Sequence, residues 1–381
     1  MNYPDPVTGR RQALVSNVLK VFLAGGLLFW LGQSGGIRFE YLIVPAAKIP
    51  VLLAACMVVA VGMALAAPRY VVLLKGAGID LSLKDSLRIS AIMYFFTQCV
   101  LGAASGDVGR YFYTTRVTGH GAKVGAAIIV DRLVGIMGLF LFGGLGLAFN
   151  WTLVEHSGDL RLIAVPALGI LCLLWLSALL GFVALARGRM AGFAVGLVFP
   201  VLAAFFSAYG DGFFAREVGP ILLGAALVSL VAPLLAPELL ENGFIYRKFF
   251  AGSKIGEKIG EVLSAILIYR SSVPAVLKIV GMTMLQHLTL IYSIYLFSQI
   301  QNLPVQPVFN EVFFAAPLSF LAGVIPAPAA GLGVNEAAFE SLLFLGSGGS
   351  VSAGASIFLM YRIWNTLFSF SGLFFIVRAK K

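Results

Sequence analysis

Apolar residues fill this chain in long uninterrupted runs, and polar residues are gathered into short segments between them. A helix that crosses the ~30 Å hydrocarbon core of a bilayer needs about 20 consecutive apolar residues. The sequence therefore predicts an all-α fold, a polytopic membrane bundle of about eight transmembrane helices. These helices are expected at residues 14–31, 49–67, 123–148, 162–186, 193–209, 219–236, 276–298 and 353–377.

Two further apolar runs, 88–103 and 311–325, are too short for this scheme, since each is about 16 residues or roughly 24 Å as a helix. The first runs into the glycine-rich segment 102–110, and the second runs into segment 325–336. We expect each run to enter and leave the membrane on the same side, as a re-entrant hairpin whose turn is the glycine-rich segment. Such a turn must be buried in protein or line a water-filled cavity.

The distribution of basic residues sets the expected orientation, because lysine and arginine are retained on the cytoplasmic side of a membrane. With a cytoplasmic amino terminus and both short runs re-entrant, most of the 27 Lys and Arg residues fall in the cytoplasm. Two others, Arg132 and Arg362, lie within spans, and both termini are expected to be cytoplasmic. The outer loops then carry Arg38, Lys48, Arg161 and Arg216.

Composition leads to the same class of protein. The chain is 60% hydrophobic and 12% charged, whereas ordinary globular domains are roughly 25% charged. We therefore expect one integral membrane domain over residues 1–381, without a soluble catalytic or nucleotide-binding domain. The net charge of +10 is attributed to topology and anionic lipid headgroups, and no nucleic-acid partner is expected.

The two hairpins are followed by similar segments, which divides the membrane domain into repeats at 88–148 and 311–377. In each repeat an arginine, Arg132 or Arg362, lies in the span that follows the glycine-rich turn. Under the expected topology the hairpins open from opposite sides, as in transporters built from inverted repeats with a site near the membrane midplane. A chance resemblance between two glycine-rich hairpins is the alternative.

Ionisable residues in the first repeat are informative because a charge inside a bilayer is costly unless it is paired or hydrated. Asp107 and Arg110 flank the expected turn, where they either cap its backbone or face a polar site. Asp131 and Arg132 lie near the cytoplasmic start of their span, where they either snorkel and pair locally or face the same site.

Glu336 and Glu340 in the second repeat are expected on one face of a helix. Two neighbouring carboxylates repel each other unless one is protonated or a cation lies close by, and Arg132 and Arg362 are the candidate cations. One interpretation is a structural salt bridge between Glu336 and Arg362. The other is a cavity that accepts a lipid phosphate, because the planar guanidinium binds two oxygens at once.

The other signals in the sequence are weaker. Residues 245–275 have the pattern of an amphipathic helix, which either lies on the cytoplasmic surface or forms a solvated connector. The three histidines, His120, His156 and His287, lack the spacing of metal ligands, and no phosphate-binding loop is present. We therefore predict no metal, no cofactor and no catalytic residue.

The motifs named above resemble those of the flippase-like family of lysylphosphatidylglycerol synthase transmembrane-region proteins. The resemblance spans nearly the whole chain and rests on Gly106-Asp107-x-x-Arg110, Asp131-Arg132, the segment 326–336 and Arg362. Known members join such a membrane unit to a soluble domain that attaches lysine to phosphatidylglycerol, and the membrane unit moves the modified lipid between leaflets. No such soluble domain is seen in this sequence, so the resemblance implies a membrane unit without lysyl transfer.

The resulting expectation is a bacterial inner-membrane lipid transporter that moves an anionic, aminoacylated or polyprenyl-linked lipid. The alternatives are a membrane-embedded headgroup transferase and a non-catalytic subunit that partners an envelope-lipid enzyme. The oligomeric state is left open. The expected substrate-binding residues are Asp107, Arg110, Asp131, Arg132, Asn335, Glu336, Glu340 and Arg362. The expected hairpin-shaping residues are Gly106, Gly109, Pro326, Pro328, Gly331 and Gly333.

Overall fold

The computed structural model describes residues 37–101, 103–150, 273–323 and 331–378, together with Phe29 and Gln33. All regular structure within these residues is helical, which confirms the predicted all-α class. Four predicted segments lie wholly or largely outside the described residues: the spans 14–31, 162–186, 193–209 and 219–236. The same holds for the amphipathic connector 245–275.

The α-helices of the described residues are numbered here in chain order. They are α1 (Ile49–Ala64), α2 (Ala66–Gly76), α3 (Leu83–Phe96), α4 (Ala103–Thr118), α5 (Gly121–Phe149), α6 (Val273–Ile300), α7 (Phe309–Ala322), α8 (Val334–Gly346), α9 (Gly354–Ser369) and α10 (Ser371–Arg378). Two short 3-10 turns, Phe39–Leu42 and Ala46–Lys48, precede α1, and a π-helical turn, Thr97–Leu101, follows α3.

Among the described residues, three helical stretches are long and apolar enough to cross a membrane: Ala46–Gly76, Gly121–Leu147 and Lys278–Ile300. They correspond to the predicted spans 49–67, 123–148 and 276–298. The first stretch is longer than predicted, because the chain stays helical beyond Pro68 and Arg69. Proline fixes its own backbone angle and interrupts a helical hydrogen bond, but the apolar residues after Arg69 continue the helix to Gly76.

The first hairpin comprises α3, the π-helical turn and α4. Ser82 begins α3, since its hydroxyl accepts a hydrogen bond from the Asp85 backbone N–H at 3.1 Å, a typical N-cap. The chain then folds back, and the Ser105 hydroxyl donates to the Phe96 carbonyl at 2.7 Å. The predicted turn at 102–110 is misplaced, because residues 103–110 already belong to α4.

Glycine explains why α4 lies so close to α3. A Cβ atom on Gly106 would lie 2.9 Å from the Met93 carbonyl oxygen, and one on Gly109 would lie 2.9 Å from the Phe96 ring. Neither position has room for a larger side chain without movement of its neighbour. Gly106 and Gly109 therefore shape the hairpin as helix-packing residues, and their predicted place in a turn was wrong.

The second hairpin comprises α7 and α8, which pack along each other. The Glu311 carboxylate accepts a hydrogen bond from the Val308 backbone N–H at 3.0 Å and so begins α7. Gly346 at the far end of α8 lies against Phe314, and Gly323 at the end of α7 lies against Asn335. These two contacts show that the helices are antiparallel.

The predicted span 353–377 is two helices, α9 and α10, joined at Phe370. The backbone angles of Phe370 stay helical, with φ −61° and ψ −18°, so α10 continues the path of α9 after one irregular residue. Gly372 lies directly against the Ala91 carbonyl of α3. This close approach of two backbones uses the missing side chain of glycine.

The chain forms two compact units. The first contains residues 1–68, 82–116 and 285–381, and the second contains residues 69–81 and 117–284. Both hairpins and the α9–α10 segment therefore belong to the first unit. Asp131 and Arg132 on α5 belong to the second unit.

Within the first unit, the two hairpins approach the α9–α10 segment from opposite ends. On the first hairpin, Cys99 lies beside Ser369 with its sulfur 3.6 Å from the hydroxyl oxygen, whereas Ala91 lies beside the later residue Gly372. The α3 helix is therefore antiparallel to α10, and the tip of the first hairpin reaches Ser369.

On the second hairpin, Glu336 contacts Arg362 and Glu340 contacts the earlier residue Ala355. The α8 helix is therefore antiparallel to α9, and the tip of the second hairpin reaches Arg362. Arg362 and Ser369 are separated by two helical turns, about 10 Å along a helix axis. Two oppositely directed hairpins thus end two turns apart on one helix, while their re-entry into a membrane stays a prediction.

Candidate functional site

The candidate site lies at the tip of the second hairpin, where Arg362 of α9 meets the start of α8. Arg362 Nε lies 2.6 Å from Glu336 Oε1, and Arg362 Nη2 donates to the Gly331 carbonyl at 3.3 Å. The other Glu336 oxygen accepts the Gly333 backbone N–H at 2.8 Å. One glutamate therefore caps α8 and holds the arginine, as the structural interpretation of the sequence predicts.

The pair is shielded from solvent. The Glu336 side chain is 0% exposed and the Arg362 side chain 12% exposed. Removal of one partner from a buried pair leaves an uncompensated charge that costs roughly 3–5 kcal/mol. A fold retains such a pair at a cost in desolvation, which makes the pair a candidate for function as well as for structure.

The tip of the second hairpin is shaped by glycine and Asn335. Gly331 and Gly333 have φ of +76° and +82°, a region in which residues with a Cβ are strained. Asn335 is 4% exposed, and its side chain occupies the space beside the Cα atoms of Gly323 and Gly331. Asn335 is therefore packed into the hairpin tip. Pro326 and Pro328 lie outside the described residues.

Glu340 lies one helical turn from Glu336 but has a different environment. Its carboxylate accepts the Ala355 backbone N–H at 2.7 Å at the first turn of α9. Carboxylates are stabilised at a helix N-terminus by unpaired N–H groups and by the helix dipole. Glu340 thus holds the base of the second hairpin to α9, and the predicted repulsion between the two carboxylates is relieved at two separate places.

Aromatic side chains form one wall of the site. The Arg362 guanidinium lies 5.9 Å from the centre of the Phe358 ring, a distance at which a cation interacts with a ring face. Phe358 in turn packs on Phe320 of α7, with ring centres 5.1 Å apart. This wall holds the guanidinium between the hairpin tip and an apolar surface.

Neutral polar groups form two hydrogen-bonded pairs in the first unit. Gln286 on α6 donates to the Tyr94 oxygen on α3 at 2.8 Å, and Asn365 donates to the Tyr361 oxygen within α9 at 3.4 Å. The first pair joins the first hairpin to α6, and the second includes the residue next to Arg362 in the sequence.

On the first hairpin, α4 is polar on its buried face and apolar on its exposed face. Arg110 is 1% exposed, whereas Val108 is 68% and Phe112 59% exposed. Asp107 is partly buried, one turn from Arg110. Exposed apolar and buried polar side chains are the reverse of a soluble helix and are typical of a helix in contact with lipid.

The second unit contains another buried ion pair. Asp131 Oδ2 accepts from Arg69 Nη2 at 3.0 Å, and Arg69 Nη1 donates to the Thr283 hydroxyl at 3.2 Å. Asp131 is buried and Arg132 is exposed. The expectation that Arg132 and Arg362 are the only arginines within spans was wrong, because Arg69 is 9% exposed within the stretch Ala46–Gly76.

The structure thus brings together Asn335, Glu336 and Arg362 with Gly331 and Gly333. It connects Glu340 to the start of α9, and it pairs Asp131 with a residue that the sequence analysis missed. The apolar run Tyr70–Leu74, which follows Arg69 directly, could have indicated that the helix continues past Arg69. No pattern marks Tyr94, Gln286 or Tyr361, since neutral polar residues are common in membrane helices. Within the described residues, no cluster of His, Cys, Asp or Glu that could hold a metal ion occurs.

A model of the family described as "Lysylphosphatidylglycerol synthase TM region" matches residues 17–371 of the chain. The match includes both hairpins, α9 and every predicted site residue, and it confirms the family resemblance found in the sequence. The comparisons with curated proteins and with solved structures gave no match.

Proposed function

The chain belongs to the lysylphosphatidylglycerol synthase TM region family, whose members are integral membrane proteins of lipid metabolism or transport, and we propose that it is a lipid flippase. It moves an anionic or aminoacylated phospholipid, or a polyprenyl-linked lipid, between the leaflets of a bacterial inner membrane. Both termini lie in the cytoplasm, and the chain itself catalyses no headgroup transfer. An envelope-lipid enzyme supplies or uses the transported lipid.

The observation that carries this proposal is the buried Arg362–Glu336 pair at the tip of the second hairpin. The lipid phosphate, which carries a charge similar to that of a carboxylate, competes with Glu336 for the guanidinium. Arginine suits this exchange because its planar donors bind phosphate and carboxylate oxygens with the same geometry. The headgroup is then held at Arg362, while the acyl chains stay in contact with apolar surface.

The opposed hairpins provide the path. One hairpin ends beside Ser369 and the other beside Arg362, two turns apart on α9. Opening of one hairpin exposes the arginine to one leaflet, and opening of the other exposes it to the opposite leaflet, as in transporters with opposed broken helices. Tyr94, Tyr361 and Gln286 offer neutral hydrogen-bonding groups to the headgroup.

The sequence has no phosphate-binding loop, so we do not propose that this chain hydrolyses ATP. The lipid either equilibrates between the leaflets or moves with an ion gradient.

The test is transbilayer movement in proteoliposomes that contain phosphatidylglycerol labelled with a fluorophore on one acyl chain. A membrane-impermeant reductant quenches the outer leaflet, and the slower second phase reports lipid that reaches it from the inner leaflet. The wild-type protein is expected to accelerate this phase, and Arg362→Gln is expected to abolish the acceleration. Arg88→Gln, in an exposed pair with Asp85, is the matched control and is expected to behave as wild type.

The outcome that contradicts the proposal is a wild-type protein that does not accelerate movement of anionic, aminoacylated or polyprenyl-linked lipids. Mass spectrometry of lipids from a strain that lacks the gene separates transport from enzymology. Transport leaves every lipid species present, whereas loss of one species would indicate a headgroup transferase.

A further inference from the structure

The second unit joins three helices through one buried arginine. Arg69 lies on α2, Asp131 on α5 and Thr283 on α6, and these helices belong to the three stretches that qualify as membrane spans. Arg69 and Asp131 are 9% and 7% exposed, and Thr283 is 0% exposed. The cluster is therefore a charged site within the apolar part of the chain.

The hydrogen bonds of Arg69 leave part of its guanidinium unused. Nη2 donates to Asp131 and Nη1 donates to Thr283, whereas the buried Nε has no hydrogen-bond partner among the described residues. A guanidinium has five N–H donors in a fixed planar fork. A pair with a purely structural role gains most from two parallel bonds to the carboxylate, and Arg69 makes a single close contact with Asp131.

Thr283 supports the arginine without neutralising it. Its hydroxyl donates to the Ile279 carbonyl at 2.7 Å and accepts from Arg69 Nη1, so it fixes the plane of the guanidinium. The buried Nε of Arg69 is therefore a donor that a further anion can use.

We propose that Arg69 is a second anion-binding residue, which takes a phosphate oxygen of an anionic lipid, and that Asp131 is its displaceable counterion. Without lipid, Asp131 neutralises the guanidinium; with lipid, the phosphate takes that position and also reaches the unused Nε. The exchange keeps the Arg69 guanidinium paired with one anion, which avoids leaving its buried charge without a counterion. This inference deepens the proposed function and rests on it, since it names the group of the lipid that the second unit recognises.

The test compares two roles of Asp131, a displaceable counterion and a structural tie, because removal of its charge changes the affinity for lipid differently in the two cases. The purified full-length protein in detergent is titrated with phosphatidylglycerol, and bound lipid is counted by native mass spectrometry. Asp131→Asn removes the competing carboxylate, so we expect phosphatidylglycerol to bind about tenfold more tightly than to the wild type. A merely structural tie predicts unchanged or weaker binding in this variant, and that result would overturn the inference.

A second variant tests the inference even if Asp131→Asn does not fold. Arg69→Gln with Asp131→Asn replaces both charges by amides and leaves no unpaired charge, and it is expected to bind phosphatidylglycerol more weakly than the wild type. Wild-type affinity in this double variant would also overturn the inference. Asp85→Asn with Arg88→Gln, which neutralises the exposed pair of α3, is the matched control with unchanged binding.

Two more ligands identify the source of the phosphate. Diacylglycerol, which has no phosphate, is expected to bind Asp131→Asn and wild type equally. If inorganic phosphate alone binds Asp131→Asn more tightly, the site takes free phosphate and the lipid assignment is overturned. Because binding is read without translocation, a protein that binds as expected but moves no lipid contradicts the proposed function and leaves the Arg69 site in place.

Discussion

Arg362 of α9 and Glu336 of α8 form a buried ion pair with 2.6 Å between Nε and Oε1, and the same glutamate accepts the Gly333 N–H that begins α8. The residue that holds the arginine through Oε1 is therefore also the residue that caps α8 through Oε2. A ligand that displaces Glu336 from Arg362 changes the start of α8 at the same time. Under the proposed function, we expect occupation of the site to be coupled to the conformation of the hairpin in this way.

Glu336→Gln is expected to lower the free energy of unfolding by roughly 3–5 kcal/mol, because it leaves the buried Arg362 charge without its counterion. Thermal unfolding in detergent measures the change. Glu336→Gln combined with Arg362→Gln should recover part of the loss, since both charges are then absent. Additive losses in the double variant would contradict the pairing.

Gly331→Ala is expected to destabilise the second hairpin for two reasons. The residue has φ +76°, and its new Cβ would lie 2.6 Å from Asn335 Oδ1. Gly348→Ala is the matched control, since Gly348 has φ +62° with nothing within 4 Å of a Cβ. Each left-handed residue costs roughly 1–2 kcal/mol, so unfolding should show this loss in both variants and a further loss in Gly331→Ala alone. Equal losses would exclude a packing role for Asn335.

Glu340→Gln tests whether the Glu340 carboxylate has a structural role or takes part in lipid movement. Its contact with the Ala355 N–H is that of a helix cap, and loss of a cap costs roughly 0.5–2 kcal/mol. We expect moderate destabilisation with lipid movement retained in proteoliposomes, in contrast to Arg362→Gln. Loss of movement in a folded Glu340→Gln protein would restore Glu340 to the substrate-binding residues that the sequence predicts.

Gly109→Ala is expected to disrupt the first hairpin, because its Cβ would lie 2.9 Å from the Phe96 ring. Gly135→Ala in α5 is the control for a helical glycine with nothing within 4 Å. Alanine favours a helix over glycine by roughly 0.5–1 kcal/mol, so Gly135→Ala should be neutral or stabilising in thermal unfolding. If both variants unfold alike, the close packing of α4 on α3 is not important for stability.

The sequence was sufficient for the fold class and for the ion pair of the second hairpin. Long apolar runs permit only helices in a bilayer, and a carboxylate and an arginine that both lie in apolar segments have few other partners. The salt bridge between Glu336 and Arg362 was one of two interpretations of the sequence, and the structure shows this contact.

The boundaries of the helices were less predictable, for physical reasons that differ between sites. Arg69 falls just beyond the predicted span 49–67, yet the helix continues through it, and the buried carboxylate of Asp131 on α5 compensates its charge. The glycines at 106 and 109 were assigned to a turn because glycine is common in turns, yet here they allow two helices to approach. The break at Phe370 has no proline or glycine at that residue, so no local signal marks it.

Labelling of single cysteines from the two sides of the membrane tests the central claim most directly, namely that the hairpins open from opposite membrane surfaces and converge on α9. In a protein whose native cysteines are replaced, Ser82→Cys marks the base of the first hairpin and Ser350→Cys lies beyond the base of the second; both residues are exposed. An impermeant maleimide applied outside intact cells is expected to label Ser350→Cys, and to label Ser82→Cys only after the membrane is permeabilised. Labelling of both cysteines from the same side would contradict the account.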